Sequence, residues 1–558
     1  MLLEQFLTLS IGCLVSLKGT VFADTLFDSG TVRLASGLTL KGERYFPSPA
    51  PSGNGRGYAF YGYKYGQAER FQQSIPNNNF SYLNNNNAPK LGYACSQQSN
   101  DVPVLSTFQQ NLIFREDCLY LDVYLPPVRQ NQINAWPVLF WVLGGGFKVG
   151  NKDLYNGTVL AQQTNSIVVT VNFRLSIFGF LSTGDASARG NWGLGDVKLA
   201  LNWTLNNIHT FKGDPSKVTI VGQSSGGALV SAIMLDDYFR GKVFAAVAMS
   251  GSLLVPWGIQ RSPLTYANLL GGFVSCPNAS SNALVACLKG KTTAELQAGL
   301  AAVVQSLPPG ALVYTPVIDG LHIPADPTKI LTQRAASNPA RRKDSARLAT
   351  FISGSLTSDG SFFLLNIPNL LEANAFTYDV VVQFTAGIVA TLAGSCPANI
   401  PRVQQMLFRY YNISAAAAPE ALRMSYYQIE TAYDYANGGL QEALLYAKDR
   451  SSDTQIYIND FDPGFDRLGA FHLSDVLHIW RGELDSFLGN HTSEAATKAL
   501  QDFLRQILYR GRSNFPLLDN TGTYQQLNQQ AKWTIKKSSF QARLDFWKSL
   551  TRLPCPSA

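Results

Sequence analysis

The chain has 558 residues, and 46% hydrophobic against 15% charged residues is typical of a globular protein rather than a disordered one. The 45 Lys and Arg exceed the 38 Asp and Glu, giving a formal net charge of +7 without a basic block, so nucleic acid is not an expected partner. We find no linker segment and therefore expect a single domain over residues 24–558.

Residues 1–23 have the layout of a secretory signal peptide. An apolar run from Phe6 to Leu17 precedes the small-residue pattern Val21-Phe22-Ala23, which predicts cleavage after Ala23 and a secreted, extracellular protein. Because the first five residues contain no Lys or Arg, a buried N-terminal helix is the alternative. No later run reaches about 18 apolar residues, and the C-terminal residues lack an apolar tail, so no stable membrane anchor is expected.

Removal of this leader leaves an even number of cysteines, which suits an oxidising compartment. The six are Cys95, Cys118, Cys276, Cys287, Cys396 and Cys555. The first two are close in sequence, as are the next two, and each pair could close a short loop. A bridge between the last two follows only by elimination, and the alternative is six reduced thiols in the core.

Asn-X-Ser/Thr triplets, together with the leader, favour a glycoprotein. We expect Asn202 to be unmodified because its surroundings predict a packed helix. Glycosylation is predicted at the other five triplets, Asn79, Asn156, Asn278, Asn412 and Asn490.

Strand-like and helical segments alternate along the chain after a β-rich opening at residues 31–46. Residues 47–90 are rich in Pro, Gly and Asn and are expected to form a surface loop. Strand-like runs follow at CLYLDVYLP, PVLFWVLGGG, IVVTVNFRL and VTIVG, with helical runs at GLGDVKLALNWTLNNI and GALVSAIML. The later half is more helical, with strands at LATFISGS and TQIYIND. This alternation predicts an α/β fold with a mostly parallel central sheet flanked by helices.

Ser224 lies in the sequence GQSSGG, between the apolar strand KVTIVG and a helix that is predicted to begin near Gly226. Such a strand-to-helix turn holds a serine in strained backbone geometry with its Oγ above the sheet, and the glycines avoid collisions. The helix directs its N-terminal N–H groups at the reacting centre. A bare G-x-S-x-G arises by chance, but this context predicts that Ser224 is a nucleophile.

Serine is a weak nucleophile at neutral pH, so a histidine must take its proton, and the chain has five. His472 is the preferred base because the sequence GAFH is predicted to form a loop after a late strand. His478 is the alternative, although its place in DVLHIW is typical of an apolar helix face. The remaining three lie at a helix end, in a turn and within a sequon: His209, His322 and His491.

A buried carboxylate must fix the imidazole tautomer and stabilise its charged form. Asp359 follows the strand LATFISGS and gives the chain order Ser, acid, His. Asp319 in PVIDG is the alternative, but that sequence is typical of a turn aspartate. We therefore predict that Asp359 completes the triad.

An acyl-transfer site also needs donors for the developing oxyanion, each worth roughly 2.7–4 kcal/mol of the barrier. The sequence GGGF from Gly144 to Phe147 directly follows the strand PVLFWVL and can present consecutive backbone N–H groups toward Ser224. The N–H of Ser225 would complete this oxyanion hole. A glycine triplet by itself is more often a flexible turn, and its pairing with the nucleophile turn changes that interpretation.

Together these motifs resemble the type-B carboxylesterase/lipase family, the cholinesterase-like branch of the α/β-hydrolases, over roughly residues 60–550. The matching segments are FYG from Phe60, EDCLYL from Glu116, NFR from Asn172, GNWGLGD from Gly190, GDPSKVTI from Gly213, MSGS from Met249 and PVIDG from Pro316. The resemblance implies an α/β-hydrolase fold with large insertions and the triad Ser224, Asp359 and His472. It also implies an oxyanion hole from Gly145, Gly146 and Ser225, and disulfides Cys95–Cys118 and Cys276–Cys287.

Departures from the family pattern bear on the substrate. Leu143 stands before the glycine triplet where many members of the family have His or Tyr, and in this the chain is similar to secreted fungal lipases and esterases. Gln223 replaces the usual Glu, which weakens the negative field that helps bind cationic esters, and the 95–118 loop contains no Trp to stack on a quaternary ammonium. Ser225 replaces the usual Ala and keeps the N–H donor, and the acid Asp359 is an Asp where Glu is commoner. Acetylcholine is therefore not an expected substrate.

The sequence thus predicts a serine carboxylic-ester hydrolase that acts through an acyl-enzyme on neutral esters, with no metal and no cofactor. Trp257 either walls the acyl pocket or belongs to the core. The loop after Cys95 is short and polar, which favours an esterase over a lipase with a long amphipathic lid. A catalytically silent adhesion or binding module is the alternative from another class, because this fold has been reused in that way.

Overall fold

A computed structural model of the chain describes residues 30–34, 37–45, 57–77, 92–98, 112–127, 135–308, 311–337, 348–372, 374–449, 452–465, 467–481, 491–519 and 522–556. The predicted leader, residues 1–23, and the sequons at Asn79 and Asn490 lie outside these ranges.

A large mixed sheet of eleven strands forms the centre of the described residues. Its strands in chain order are β1 (Glu43–Tyr45), β2 (Gly57–Lys64), β3 (Tyr120–Leu125), β4 (Trp136–Val142), β5 (Ile167–Val171), β6 (Gly213–Gln223), β7 (Ala245–Met249), β8 (Thr350–Leu356), β9 (Thr454–Asn459), β10 (Thr523–Leu527) and β11 (Trp533–Lys537). Across the sheet the order is β11-β10-β9-β8-β7-β6-β4-β5-β3-β2-β1. The strands from β10 across to β5 are parallel, and the pairings at both edges are antiparallel.

Helices cover both faces of this sheet, and with the sheet they confirm the predicted α/β-hydrolase class of fold. They are α1 (Gly157–Thr164), α2 (Ser176–Phe180), α3 (Trp192–Asn207), α4 (Ser225–Met234), α5 (Asp237–Arg240), α6 (Pro263–Phe273), α7 (Ser281–Gly290), α8 (Thr293–Gln305), α9 (Pro327–Ala336), α10 (Tyr378–Ala393), α11 (Ile400–Tyr410), α12 (Pro419–Glu430), α13 (Asn437–Asp449), α14 (Ser474–Ile479), α15 (Glu494–Arg510) and α16 (Phe540–Leu550). A π-helical turn, Thr431–Ala436, joins α12 to α13.

The order of the strands determines where a site can form. β4 and β6 are neighbours in the sheet, but the connection after β4 leads to β5 on one side, whereas the connection after β6 leads to β7 on the other side. Such a switch point opens a crevice at the carboxyl ends of parallel strands, and ligands of open α/β sheets bind there. The glycine triplet follows β4 and Ser224 follows β6, so both lie at this crevice.

Some strands differ from the sequence prediction. The expected loop at residues 47–90 contains β2, which lies inside the central sheet with Tyr58 and Phe60 buried. Its aromatic run GYAFYGYK is flanked by Pro, Gly and Asn, which dominated the composition of that stretch. The strand β7 was also not predicted, because its sequence AAVAM is short and rich in Ala, a weak strand former. It is a strand because it pairs with both β6 and β8. The edge strands β10 and β11 were likewise not predicted.

Two of the motifs that carry the family resemblance contact each other through a buried ion pair. Arg174 of NFR donates from Nε and Nη2 to the two carboxylate oxygens of Asp196 in GNWGLGD, both at 2.8 Å. Both side chains are almost fully buried. A bidentate pair of this kind fixes the geometry of the loop after β5 against helix α3.

Three disulfides join Cys95 to Cys118, Cys276 to Cys287, and Cys396 to Cys555. Among the described sequons, Asn278 and Asn412 are exposed and Asn156 is half-buried at the N-cap of α1. Asn202 lies on α3, where its Oδ1 accepts a hydrogen bond from the Tyr238 hydroxyl at 3.0 Å.

Candidate active site

Ser224 occupies the sharp turn between β6 and α4 with φ 58° and ψ −127°. A positive φ is strained for a residue with a side chain, and such strain is concentrated at functional turns. The turn also needs close backbone approach, because a Cβ on Gly226 would lie 2.1 Å from the Val142 carbonyl oxygen. Ser224 N donates to the Met249 carbonyl at 2.8 Å, which attaches the turn to the end of β7. The predicted strand-turn-helix context of Ser224 is therefore present.

His472 and Asp359 lie together although they are more than a hundred positions apart in sequence. His472 Nδ1 donates to Asp359 Oδ1 at 2.8 Å, with both side chains buried. Asp359 follows β8 and His472 follows β9, the neighbouring parallel strand. A β-bridge between Ser358 and Phe471 extends this pairing beyond the sheet and holds the two loops side by side.

The second carboxylate oxygen of Asp359 has two donors of its own. Ser250 Oγ donates to Oδ2 at 2.9 Å, and the backbone N–H of Leu356 donates at 2.8 Å. These two bonds fix the orientation in which the carboxylate presents Oδ1 to His472. The sequence drew attention to Ser250 only as part of MSGS, and its contact with the acid was not predicted. Nothing local marks it, because the contact joins the end of β7 to the loop after β8.

The imidazole of His472 lies between two aromatic rings. The Tyr435 ring lies 4.5 Å away between centroids, and the Phe362 ring meets it edge-on at 5.7 Å. Its free nitrogen, Nε2, lies 3.0 Å from the amide nitrogen of Gln223, the residue before the nucleophile. The base is thus fixed on all sides by side chains from different elements.

The glycine loop after β4 lies directly against the nucleophile turn. A Cβ on Gly144 would lie 3.1 Å from Ser224 Cβ. Gly145 and Gly146 both have positive φ, 119° and 64°, and a Cβ on Gly145 would lie 2.0 Å from the Val149 carbonyl oxygen. In the described part of the chain, the N–H groups of Gly145, Gly146 and Ser225 donate to no protein acceptor. These three donors can therefore serve an oxyanion beside Ser224.

The alternative acid and base have other surroundings. His478 Nδ1 donates to the Ser474 carbonyl at 2.6 Å, and its Nε2 accepts from Ser493 N. Asp319 Oδ1 accepts hydrogen bonds from three successive backbone N–H groups and so forms a turn. His209 and His491 are exposed, and His322 is half-buried with a pKa lowered to about 4, chiefly by burial.

Trp257 lies close to the site. Its Nε1 donates to the Asp434 carbonyl at 2.9 Å, and its ring lies 6.1 Å from Phe147 of the glycine loop. The centroid of its ring also lies 6.2 Å from that of Tyr435, which flanks the base. Trp257 is partly buried and packs against the core, and its ring contacts place it beside the glycine loop and the base.

Several buried carboxyls surround the triad without belonging to it. Burial, followed by the charge of Asp359, raises the pKa of Asp475 to about 7. Burial also raises the pKa of Glu442 to about 7, although the hydroxyls of Ser231 and Ser252 donate to it at 2.6 Å. Burial thus favours the neutral form of both carboxyls as the pH falls below about 7.

The described residues contain no group of three or more His, Cys, Asp or Glu that could hold a metal ion. Within those same residues, no helix has the length and apolar character that a membrane span requires.

Comparisons with known proteins bear on this site. A sequence profile described as "Carboxylesterase family" matches residues 29–547. Human bile salt-activated lipase is 36% identical over 287 residues, which is 48% of this chain and 36% of that protein. Rat carboxylesterase 1D is 38% identical over 254 residues, 43% of this chain and 45% of that protein. Mouse neuroligin-2 is 34% identical over 300 residues, 48% of this chain and 35% of that protein. The chain thus spans less than half the length of each of these three relatives.

Proposed function

The chain belongs to the carboxylesterase family, and from this membership we propose that it is a serine carboxylic-ester hydrolase that acts on neutral esters. The observation that most supports this is the meeting of four elements at the carboxyl ends of the parallel strands. Ser224 follows β6, the glycine loop follows β4, and the hydrogen-bonded pair Asp359 and His472 follows β8 and β9. The names of two relatives, a lipase and a carboxylesterase, agree with the proposal.

The proposed reaction has two acyl-transfer steps. Ser224 Oγ attacks the ester carbonyl while His472 Nε2 takes its proton, and Asp359 stabilises the imidazolium through Nδ1. The N–H groups of Gly145, Gly146 and Ser225 bind the oxyanion. His472 then protonates the leaving alcohol, and the acyl-enzyme forms. In the second step water attacks the acyl carbonyl while His472 takes its proton. The bond from the acyl carbon to Ser224 Oγ then breaks, His472 returns the proton to Oγ, and the acid leaves.

The proposed substrate is uncharged because the site carries little negative charge toward a bound cation. Gln223, which lies directly beside the base, is neutral where the family usually has Glu. Trp257, which is partly exposed and packs on buried Phe147 of the glycine loop, supplies apolar surface beside the site, and such a surface suits an apolar acyl group.

We also propose that the protein is extracellular and consists of one domain over residues 24–558. Three disulfides, the predicted leader and exposed sequons at Asn278 and Asn412 support an oxidising compartment. The described strands from β1 to β11 share a single sheet, which supports one domain.

Two other functions have specific support. Bile salt-activated lipase is among the relatives, which favours a lipase on longer-chain acylglycerols. Neuroligin-2 is not named as a hydrolase, which favours a catalytically silent binding module. Activity on a soluble short-chain ester without a jump at the emulsion threshold supports the esterase, and interfacial activation supports the lipase.

The proposal is tested by assaying the wild type and Ser224→Ala on p-nitrophenyl acetate and butyrate. We expect the wild type to hydrolyse both esters and the variant to lose at least about a thousandfold in kcat. Equal rates for the two proteins would contradict the proposed role of Ser224. An inactive wild type that is folded, as judged by its thermal unfolding, would favour the binding module.

A further inference from the structure

The side chain of Gln223 lies between the base and the oxyanion loop. It is fully buried, and its Nε2 lies 3.0 Å from His472 Nε2. Its Oε1 is 2.8 Å from the position that a Cβ on Gly144 would take, and it has no hydrogen-bond partner among the described residues. One carboxamide therefore lies against both the base and the oxyanion loop, and the proposed reaction gives it no role.

The hydrogen bonds of the imidazole determine which group donates in this contact and which protonation state of His472 it favours. Because His472 Nδ1 donates to Asp359, a neutral ring carries a lone pair on Nε2. The Gln223 amide donates to that lone pair. A hydrogen bond to the neutral form of a group disfavours its charged form. The contact therefore favours the unprotonated ring in the free enzyme. Nε2 has a single lone pair, so the amide must release it when His472 accepts the Ser224 proton.

A carboxylate at position 223 would have the opposite effect. It cannot donate to Nε2, and its charge would form an ion pair with the imidazolium at a buried position where water does not screen it. The ring would then remain protonated to a higher pH, and protonated imidazole cannot act as the base. The choice between amide and carboxylate at this one position thus determines the lower pH limit of catalysis.

We propose that Gln223 is a positioning residue that holds His472 by Nε2 in its neutral form and thereby extends activity to lower pH than a glutamate there would allow. This inference rests on the proposed ester hydrolase function. The amide acts through His472.

Other titratable groups also face the base, and they are the same in every variant of position 223. Asp359 lies at Nδ1, Asp475 lies on α14 beyond Asp359, and Tyr435 covers one face of the ring. The buried pair Glu430 and Asp434 lies behind Tyr435, on α12 and the π-helical turn. A difference between variants therefore reports the change at position 223.

The test compares the wild type with Gln223→Glu and Gln223→Met in two measurements. The first is the pH dependence of kcat/KM for p-nitrophenyl butyrate, whose acid limb reports the base in the free enzyme. The second is the NMR titration of ¹³C-labelled histidine, where only five side chains give signals and His472→Gln assigns the one of interest. Gln67→Glu, which adds the same charge at an exposed glutamine, is the matched control.

We expect Gln223→Glu to move both the acid limb and the His472 midpoint upward by at least about one pH unit. Gln223→Met removes the donor without adding charge, so we expect a smaller upward shift. Gln67→Glu should leave both unchanged. If Gln223→Glu does not fold, the direction of the Gln223→Met shift decides the question.

Two results would overturn the inference: a His472 midpoint in Gln223→Glu within about 0.2 pH unit of the wild type, or a downward shift in Gln223→Met. The NMR measurement does not depend on activity. A shifted midpoint in a protein without esterase activity would therefore count against the proposed function and not against the role of Gln223.

Discussion

Replacing Ser250 with alanine tests whether the support of Asp359 contributes to catalysis. The Ser250 hydroxyl is one of the two donors to Asp359 Oδ2 and lies 2.9 Å from it in a buried environment. The hydrogen bond to Leu356 N and the one to His472 remain in the variant. A hydrogen bond to a charged group contributes roughly 1.5–3 kcal/mol. Since about 1.4 kcal/mol corresponds to a factor of ten in rate, kcat/KM should fall about tenfold to a hundredfold.

The same substitution two residues further along provides the control. Ser252 is equally buried, but its hydroxyl donates to Glu442 and not to the triad. We expect Ser252→Ala to lower the thermal unfolding midpoint while keeping kcat/KM within about twofold of the wild type. The assay is kcat/KM on p-nitrophenyl butyrate, normalised by active-site titration. A Ser250→Ala enzyme with wild-type kcat/KM, or an equal loss in Ser252→Ala, would refute the reasoning.

Three further predictions concern stability and the glycine loop. Burial raises the pKa of Glu442 from 4.5 to about 7. Between these two pH values the folded state therefore binds a proton that the unfolded state does not bind. The contribution of this group to the free energy of unfolding is at its full value below pH 4.5 and falls by about 3 kcal/mol as the pH rises to 7. In urea unfolding, Glu442→Gln should therefore lose less stability between pH 5 and 8 than the wild type, and equal losses would contradict this. Replacing Cys396 and Cys555 by serine removes a disulfide that links positions 159 residues apart. The free energy of unfolding should fall by about 5 kcal/mol because the unfolded chain gains entropy, and an unchanged thermal unfolding midpoint would contradict this. Gly145→Ala should lower kcat at least about a hundredfold because the added Cβ would displace the oxyanion loop. Gly272→Ala is the control, since a Cβ there meets no atom within 4 Å, and its kcat should equal that of the wild type. Similar kcat values for the two variants would contradict the oxyanion role of the loop.

Much of the fold could be predicted because its elements carry local signals. The strand β4 is a continuous apolar run, and so is the second half of β6, VTIVG. The strand β7 has no such signal in AAVAM, because its conformation comes from the two strands that flank it. The strand β2 was missed because loop-forming residues surround a short aromatic run. Tertiary pairing, which one sequence does not display, decided both cases.

The candidate site divides in the same way. The surroundings of Ser224 could be anticipated because the turn is encoded by adjacent residues, and the chain order favoured Asp359 and His472. Ser250 and Tyr435 could not be anticipated, because each reaches the triad from an element distant in sequence. Gln223 was recognised as a neutral residue near the substrate, but its contact with the base depends on how the loop after β9 reaches the end of β6 across β8 and β7.

The central claim is that Ser224 is the nucleophile, and covalent labelling tests it most directly. The protein is treated with diethyl p-nitrophenyl phosphate, a neutral reagent that transfers its phosphoryl group to an activated serine, and the modified residue is located by peptide mass spectrometry. We predict one diethylphosphoryl group per chain, on Ser224, with loss of esterase activity in proportion to labelling and no label on Ser224→Ala. A label on Ser225 or elsewhere, or full hydrolytic activity in the unlabelled Ser224→Ala protein, would contradict the claim.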